Sequence, residues 1–421
     1  MRRGVLLWLL LFGAYAATIG LHAFGHAVYA GDEPHYLRAV EALSHGRHLD
    51  EHYGVGFPLV LLPAYSLGGA HGVELFLAAV AALAVVLAYR LALRVVPDPW
   101  ALGAALAGGL SPPFLAYATA VYPELTAGAA LAGAALLAVR LDERPGWRAA
   151  FACFTLLGAL PWLGVGFVPA GLVVGVVAAR ALWRSRRRTL AIGAVEVALF
   201  SVTFYVAINE SLYGSPAPDA GHGTDASVDG YLGRSYRLVA LFLDRGHGLL
   251  RWAPVFALAF VGLWWLWRSR RDRLARALPE VHAIELTAGL CAAALAAQLL
   301  VAAFLTSTMF GFWFGPRHLL AALPLTVPLV AWGFRHAPRV GTILAALTLA
   351  ASTWLYVDVR WGGGSLVADT PDAPFGPLTS VFPNFDSDEV WPFVAAGAIG
   401  AAIALVVASE ARRSRRRAWT T

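Results

Sequence analysis

Lysine is absent from this chain: all 32 basic residues are arginine. With the load of Ala and Gly, that composition points to a GC-rich bacterial genome. Charge of either sign is scarce. Only 14% of the 421 residues are charged and 59% are hydrophobic, where soluble domains average roughly 25% and 45–50%. The shortage excludes a soluble domain long enough to fold alone. Cysteine occurs twice, at Cys153 and Cys291, each inside an apolar stretch. Two such residues support neither a disulfide framework nor a cysteine-based metal site, and they read as small core residues. The formal charge of +6 carries no nucleic-acid signal, because the arginines lie at the ends of apolar stretches.

What is present is hydrocarbon. Apolar stretches near the ~20 residues that cross a bilayer recur along the chain. They predict an all-α polytopic membrane protein, one unit over 1–421, with about 12 transmembrane helices. The predicted spans are 5–24, 72–95, 100–119, 124–140, 148–160, 163–183, 189–209, 251–267, 283–306, 318–334, 340–358 and 391–409. Pro161-Trp162 divides two of them, so a re-entrant pair or a broken helix is the alternative over 148–183. Met1-Arg2-Arg3 ahead of an apolar run has the outline of a signal peptide. No small-residue cleavage site follows it, and the segment reads as an uncleaved first span.

The arginines orient this map. Twenty-four fall on one side, among them Arg90, Arg94, Arg140, Arg184, Arg186, Arg187, Arg188 and the basic tail over 410–421. Eight fall on the other: Arg38, Arg47, Arg234, Arg237, Arg245, Arg251, Arg317 and Arg360. By the positive-inside rule the first side is cytoplasmic and holds both termini, which requires an even number of spans. Fifteen of the 26 acidic residues map outside. Three outer segments are long, 25–71, 210–250 and 359–390, whereas the cytoplasmic loops are short and basic. The polar chemistry is therefore expected on the outer face.

The first outer segment holds Gly31-Asp32-Glu33-Pro34-His35-Tyr36. Pro34 suits the first turn of a helix and Gly46 its end. Leu37, Val40 and Leu43 then share one face, the pattern of an amphipathic helix lying in the interface. Asp32 and Glu33 stand at its N-terminus, where the helix dipole favours negative charge. They read either as helix caps or as paired carboxylates placed for chemistry just outside a membrane. A second interfacial helix is expected from Gly56-Phe57-Pro58 to Leu67. Two further motifs precede spans: Asp244-Arg245-Gly246-His247-Gly248 through Arg251 and Pro254, and Phe314-Gly315-Pro316-Arg317-His318. Arg317 can snorkel to the interface or clamp a phosphate at the membrane surface. Six histidines crowd the first segment, His22, His26, His35, His45, His48 and His52. Their spacings fit no standard zinc pattern, so interfacial hydrogen bonding and a metal-binding pair both stay open. Glu196 and Glu285, near cytoplasmic span ends, are expected to pair with arginines such as Arg188. Gln298, deeper in its span, is expected to bond across helices.

In this order, the motifs resemble the GT-C superfamily of membrane glycosyltransferases. The likeness is greatest to bacterial relatives of protein O-mannosyltransferases and aminoarabinose transferases. It is carried by Gly31 through Tyr36, by His52-Tyr53-Gly54 through Pro58 with Pro63, and by Tyr122-Pro123-Glu124. Leu160-Pro161-Trp162, His247-Gly248-Leu249 with Pro254, and Phe314-Gly315-Pro316-Arg317 complete the set. The resemblance implies a polyprenyl-phosphate donor carrying a mannose- or arabinose-like monosaccharide. It implies transfer, with inversion, to a hydroxyl of an envelope glycan, lipid or protein at the outer face of a bacterial inner (cytoplasmic) membrane. Asp32 would be the base, Glu33 would orient it or the acceptor, and Glu124 would be a further catalytic carboxylate. The leaving phosphate is already charged and needs cations more than an acid. Arg317 fits that need, with Arg245, His247 and Arg251 behind it. His35, Tyr36, His52 and Tyr53 would line the acceptor side of the loop. Some relatives hold a divalent metal on such carboxylates; this sequence carries no firm metal signature, and the cofactor stays unknown. The large soluble domain of some relatives is missing. The alternative class is a secondary transporter or a lipid or polysaccharide flippase. Pro161 and Pro169 could break a helix as transporters do, but no internal repeat is evident and the polar groups gather outside, away from the midplane.

Overall fold

The computed structural model describes residues 2–21, 29, 31–47, 54–216, 231, 233–274, 279–306, 315, 317–362, 366, 381–385 and 391–418. Among these the regular structure is helical. Seven helices are long and apolar enough to cross a membrane: Gly56–Ala92, Glu124–Glu143, Val165–Arg184, Arg188–Tyr213, Val281–Leu305, Arg317–His336 and Pro338–Trp361. Four apolar helices are shorter, Trp100–Gly109, Trp147–Leu163, Pro254–Arg268 and Trp391–Leu405. The chain is an all-α multi-pass membrane protein. Its count of long spans among the described residues is below the twelve expected, because proline and glycine break several apolar stretches.

Two of these breaks show the cause. The stretch 100–119 divides into Trp100–Gly109 and Pro112–Tyr117, with Ser111 extended between them (φ −71°, ψ 154°). A residue ahead of proline is pushed out of the helical region, and Pro112 and Pro113 follow directly. The stretch 148–183 divides at the expected place, into Trp147–Gly158, Leu160–Leu163 and Val168–Arg184. The two longer pieces fold back on each other, a Cβ on Gly175 lying 3.3 Å from Leu157 and 3.9 Å from Phe154, so they form a helical hairpin that turns at Gly164.

Four helices position the site. Helix α1 covers Glu33–Ser44, with Pro34 in its first turn and Gly46 just past its end as their placement predicts. Helix α2 runs Gly56–Ala92 but is two helices in practice, because Gly68 and Gly69 leave helical geometry and Gly69 takes φ +59°. Its first part is the apolar stretch expected to lie apart from the following span. Helix α3, Glu124–Glu143, starts directly after Pro123. The fourth segment opens as a 3₁₀ turn over Arg317–Ala322 and continues as α4, Leu323–His336.

Burial separates centre from periphery. The apolar stretch of Arg317–His336 is 83% buried within the protein, whereas that of Arg188–Tyr213 is only 17% buried and faces outward. Helices already in hydrocarbon gain little by hiding apolar surface, so small residues and polar bonds hold them together. At the contact of α4 with the helix Ala257–Leu274, Gly262 and Gly333 let two backbones touch. A Cβ at either would lie 2.1 Å from a carbonyl oxygen of the other helix, that of Leu329 or of Leu258. Tyr15 Oη donates to the Gly109 carbonyl at 2.6 Å and Ser352 Oγ to that of Leu110 at 2.6 Å. Gln298 bonds across helices as expected, its Nε2 donating to the His318 carbonyl at 3.0 Å, which anchors the turn that carries Arg317. Glu196 and Glu285 differ from expectation: neither makes an ion pair among the described residues, and Glu285 Oε1 is buried without a hydrogen-bond partner there.

The charges sort to two ends. Helix α3 has 20 residues, about 30 Å at 1.5 Å per residue, which matches the hydrocarbon thickness of a bilayer. At its N-terminal end Glu124 meets Arg317 and, through it, Asp32. At its C-terminal end Glu143 pairs with Arg94, and Asp142 lies 2.9 Å from His282 Nε2.

Candidate active site

Asp32 is the residue before α1, yet its side chain makes no capping bond. Instead its Oδ2 accepts a hydrogen bond from Arg317 Nη1 at 3.0 Å. The same guanidinium donates from Nε to Glu124 Oε1 at 2.6 Å. Arg317 therefore bridges two carboxylates that lie 285 and 193 residues away in sequence. Its guanidinium also stands over the Tyr122 ring, 4.1 Å from the centroid, where the ring face attracts a cation. The bridge is graded in exposure: the side chain of Glu124 is 7% exposed, that of Arg317 14% and that of Asp32 31%. Asp32 is the carboxylate an incoming molecule meets. Glu124 Oε2 is buried with no hydrogen-bond partner among the described residues.

The backbone around the bridge is fixed by its own bonds. Glu33 is fully buried, and its Oε1 accepts the Val121 backbone N–H at 2.8 Å. The Asp32 backbone N–H donates to Tyr122 Oη at 3.1 Å. The two bonds run in opposite directions between the start of α1 and the segment ahead of α3, so Asp32 and Glu124 are held in register. Burial pushes the Tyr122 hydroxyl well above its usual range; Arg317 opposes that shift and Asp32 reinforces it. The phenol stays protonated and neutral. Tyr36 and Tyr117 meet the Tyr122 ring edge-on at 6.3 and 6.0 Å, and Tyr36 also meets Phe57 at 5.1 Å.

A neighbouring turn is organised by Asp244. Its Oδ2 accepts the backbone N–H groups of Gly246 and His247 at 2.8 and 2.9 Å, and its Oδ1 accepts that of Phe385 at 3.1 Å. The Arg245 N–H donates to the Pro383 carbonyl at 2.8 Å. Burial acts to raise the Asp244 pKa, but the bonds from His247, Phe385 and Gly246 outweigh it and hold the carboxyl below its ordinary range. The turn packs against the arginine motif: a Cβ on Gly315 would lie 2.2 Å from the His247 carbonyl. His247 thus stands beside the residue two positions before Arg317.

Of the residues expected at the site, Asp32, Glu33, Glu124 and Arg317 come together, and Tyr36 packs beside them. His35 lies next to Arg38, with Arg38 Nη2 2.9 Å from its Nδ1. Arg251 donates from Nη1 to the Gly246 carbonyl at 2.9 Å and lies over the Trp252 ring. Arg245 is exposed. His52 and Tyr53 lie outside the described residues, as do His22, His26 and His48. Three participants were not singled out from the sequence. Tyr122 stood in a quoted motif without a role. Glu74 is buried in α2, with His71 Nδ1 2.8 Å from its Oε2. Tyr29 hydrogen-bonds Glu74, and burial followed by the charges of Glu74 and Glu33 pushes its hydroxyl up to about 12. The available signal was Glu74 itself, a lone carboxylate in an apolar helix.

No group of three or more histidine, cysteine or acidic residues among the described ones is set to hold a metal ion. The carboxylates of Asp32 and Glu124 are both bonded by Arg317, whose positive charge between them opposes a second cation there. As arranged, the donor set does not fit a metal.

No protein-family model matches the chain, and no curated protein matches it. Solved structures do. ArnT of Cupriavidus metallidurans bound to undecaprenyl phosphate aligns with a TM-score of 0.56 over 97% of this chain and 73% of that one. The fold is similar to that of ArnT. Sequence identity is 17%, and for apo ArnT it is 16% with the same TM-score and coverage. The oligosaccharyltransferase of Archaeoglobus fulgidus in its apo form aligns at 14% identity over 91% of this chain and 57% of its own, with a TM-score of 0.46. At these identities the likeness is one of fold.

Proposed function

We propose that this protein is a glycosyltransferase that moves a monosaccharide from a polyprenyl-phosphate donor to an envelope hydroxyl at the outer face of a bacterial inner membrane. The observation that carries the reading is the Asp32–Arg317–Glu124 bridge, a half-open carboxylate on a guanidinium that is itself anchored from below. The GT-C-like fold supports it, and so does the undecaprenyl phosphate held by ArnT. The strong arginine bias sets the orientation, with the bridge outside and both termini inside.

The chemistry follows from the geometry. A guanidinium has five N–H donors. The bonds to Asp32 and Glu124 use one from Nη1 and one from Nε, which leaves three for the oxygens of the donor phosphate. In the reaction, the acceptor oxygen attacks the anomeric carbon and the bond from that carbon to the phosphate oxygen breaks. The electron pair leaves with the phosphate, which Arg317 stabilises, and the hydroxyl proton passes to Asp32. A carboxylate base suits a transition state in which bond breaking leads and the proton leaves late. Glu124, buried beneath, keeps Arg317 aimed, and Glu33 keeps the loop bearing Asp32 in place. Mannose and arabinose are the sugars the resemblance favours. Arg245 and His247, on the turn that packs against Gly315, are further candidates to hold the donor phosphate. No step is assigned to a metal.

The deciding experiment is sugar transfer by the purified protein from a polyprenyl-phosphate sugar to an envelope extract, alongside Asp32→Asn at matched amount. Turnover that vanishes in the variant supports the reading. Equal turnover in both removes Asp32 as the base. Donor movement across a vesicle without any sugar transfer would replace the enzyme with a flippase.

A further inference from the structure

A cavity of about 1150 Å³ opens between both parts of α2, α3 and the helix Trp147–Gly158. It lies on a different side of α3 from Arg317. Thr126, Ala130, Gly133 and Leu137 of α3 line it, whereas Gly128 faces Ala321 and Pro324 of the arginine segment. From Thr126 to Arg140 the lining follows α3 for 14 residues, about 21 Å, or roughly two-thirds of a bilayer's hydrocarbon. The walls are apolar, and Leu83 and Leu59 at its edge are 44% and 43% exposed. The space is therefore open sideways, to lipid.

Its two ends differ. Near the active-site end the lining holds neutral groups such as Thr126, Trp162 and Ser201. At the far end it holds Arg90, Arg94 and Arg140. The acids nearby are engaged: Glu143 pairs with Arg94, and Asp142 with His282. Arg90 and Arg140 are exposed and make no ion pair among the described residues. An apolar cleft of acyl-chain length that ends in two uncompensated guanidiniums is complementary to an anionic amphiphile with its head at the arginine end. The polyprenyl-phosphate donor has the reverse polarity, since its phosphate belongs at Arg317.

We propose that this cleft is a binding site for an anionic phospholipid of the cytoplasmic leaflet. Its phosphate sits on Arg90 and Arg140, and an acyl chain rises along α3 toward Thr126. The lipid fills a gap between three helices of the scaffold that carries Glu124 at its other end. Basic pockets between helices on the cytoplasmic side suit such headgroups.

The test uses the intact protein, delipidated in detergent, with phosphatidylglycerol, phosphatidylcholine and undecaprenyl phosphate as probes. Retained lipid is counted by native mass spectrometry and melting is followed in parallel. Phosphatidylglycerol should be retained as one copy and raise the melting temperature more than phosphatidylcholine does. Arg90→Gln with Arg140→Gln should weaken its binding by about 30-fold, from roughly a five-fold loss per arginine. Both residues are exposed and unpaired, so the variant should fold. Ala130→Phe, which projects bulk into the cleft, should abolish retention with both arginines in place. Equal retention of phosphatidylglycerol and phosphatidylcholine, or no change in the double variant, overturns the proposal. Undecaprenyl phosphate retained alone, with indifference to Arg90 and Arg140, also overturns it and makes the cleft a groove for a donor tail.

Discussion

The two ends of α3 use the same residue types to opposite effect. At the N-terminal end, Glu124 is 7% exposed and shares Arg317 with Asp32. At the C-terminal end, Glu143 and Arg94 are 35% and 33% exposed, and Arg140 beside them is open. A buried pair costs desolvation on both sides and holds only while both members remain. An exposed pair is worth about 0–1 kcal/mol and is screened by salt. Charge at the first end therefore creates dependence between distant segments, and charge at the second end creates little. Chemistry belongs where the charges are committed.

The sharpest way to break this contrast is to remove each arginine. Arg317→Ala strands the buried Glu124 carboxylate and should destabilise by about 3–5 kcal/mol. Arg94→Ala should change stability by about 0–1 kcal/mol. Melting of the two variants in the same detergent compares them directly, and similar losses would mean that the ends are not different in kind. Arg317→Lys should recover only part of the loss, since a single ammonium cannot donate along two directions as Nε and Nη1 do. Transfer should fail in both Arg317 variants.

Asp32→Asn separates chemistry from stability at the same end. Asp32 is 31% exposed, so losing its charge should cost little stability once solvent screening is allowed for. The rate of sugar transfer should fall by about 10²–10⁴-fold, the range of a lost general base. An equal fall in melting temperature for Asp32→Asn and Arg317→Ala would make Asp32 structural. Glu33→Ala should lie between them. It leaves the buried Val121 N–H unsatisfied, at a cost of about 1–3 kcal/mol, and should lower transfer by loosening Asp32. A circular-dichroism melt together with a transfer assay would distinguish this from a direct catalytic loss.

Much of this architecture was legible where the cause is local. Pro34 sits in the first turn of α1 and Gly46 just past its end, Pro123 starts α3, Gly68-Gly69 parts the first apolar stretch from the span, and Pro161 lies beside the turn of the 147–184 hairpin. These residues act on their own backbone, so their effect is written beside them. Arg317 is different. Its partners are 193 and 285 residues distant, and no periodicity encodes such a contact. The motifs contain these residues, but which arginine meets which carboxylate is a property of helix packing. Glu285 shows the reverse failure. Proximity to basic loops predicted a partner, and packing left its Oε1 buried without one among the described residues. The count of long spans among the described residues falls short of the twelve expected for a third reason: hydropathy averages over Ser111 and Pro112, whereas the backbone does not.

The smallest effect expected is at Asp244, and it sharpens the contrast through pH. Its folded pKa is depressed, chiefly because hydrogen bonds from His247 and the Phe385 and Gly246 amides outweigh the upward push of burial. The stability it contributes is therefore complete above the ordinary carboxylate pKa of about 3.9 and is lost as pH falls from there through the folded value. Between pH 5 and 8 this group should add no slope to the melting temperature. Asp244→Asn presents an amide N–H₂ to backbone N–H donors and should melt lower than wild type at pH 7, with the gap closing below about pH 4. Exposed pairs such as Arg94–Glu143 would instead respond to salt. Melting curves for wild type and Asp244→Asn at pH 7 and pH 3.5, each at low and high salt, tell the two apart. A gap that survives at pH 3.5 would mean that the shape of the turn, not the charge on Asp244, joins the 244–247 turn to Phe385.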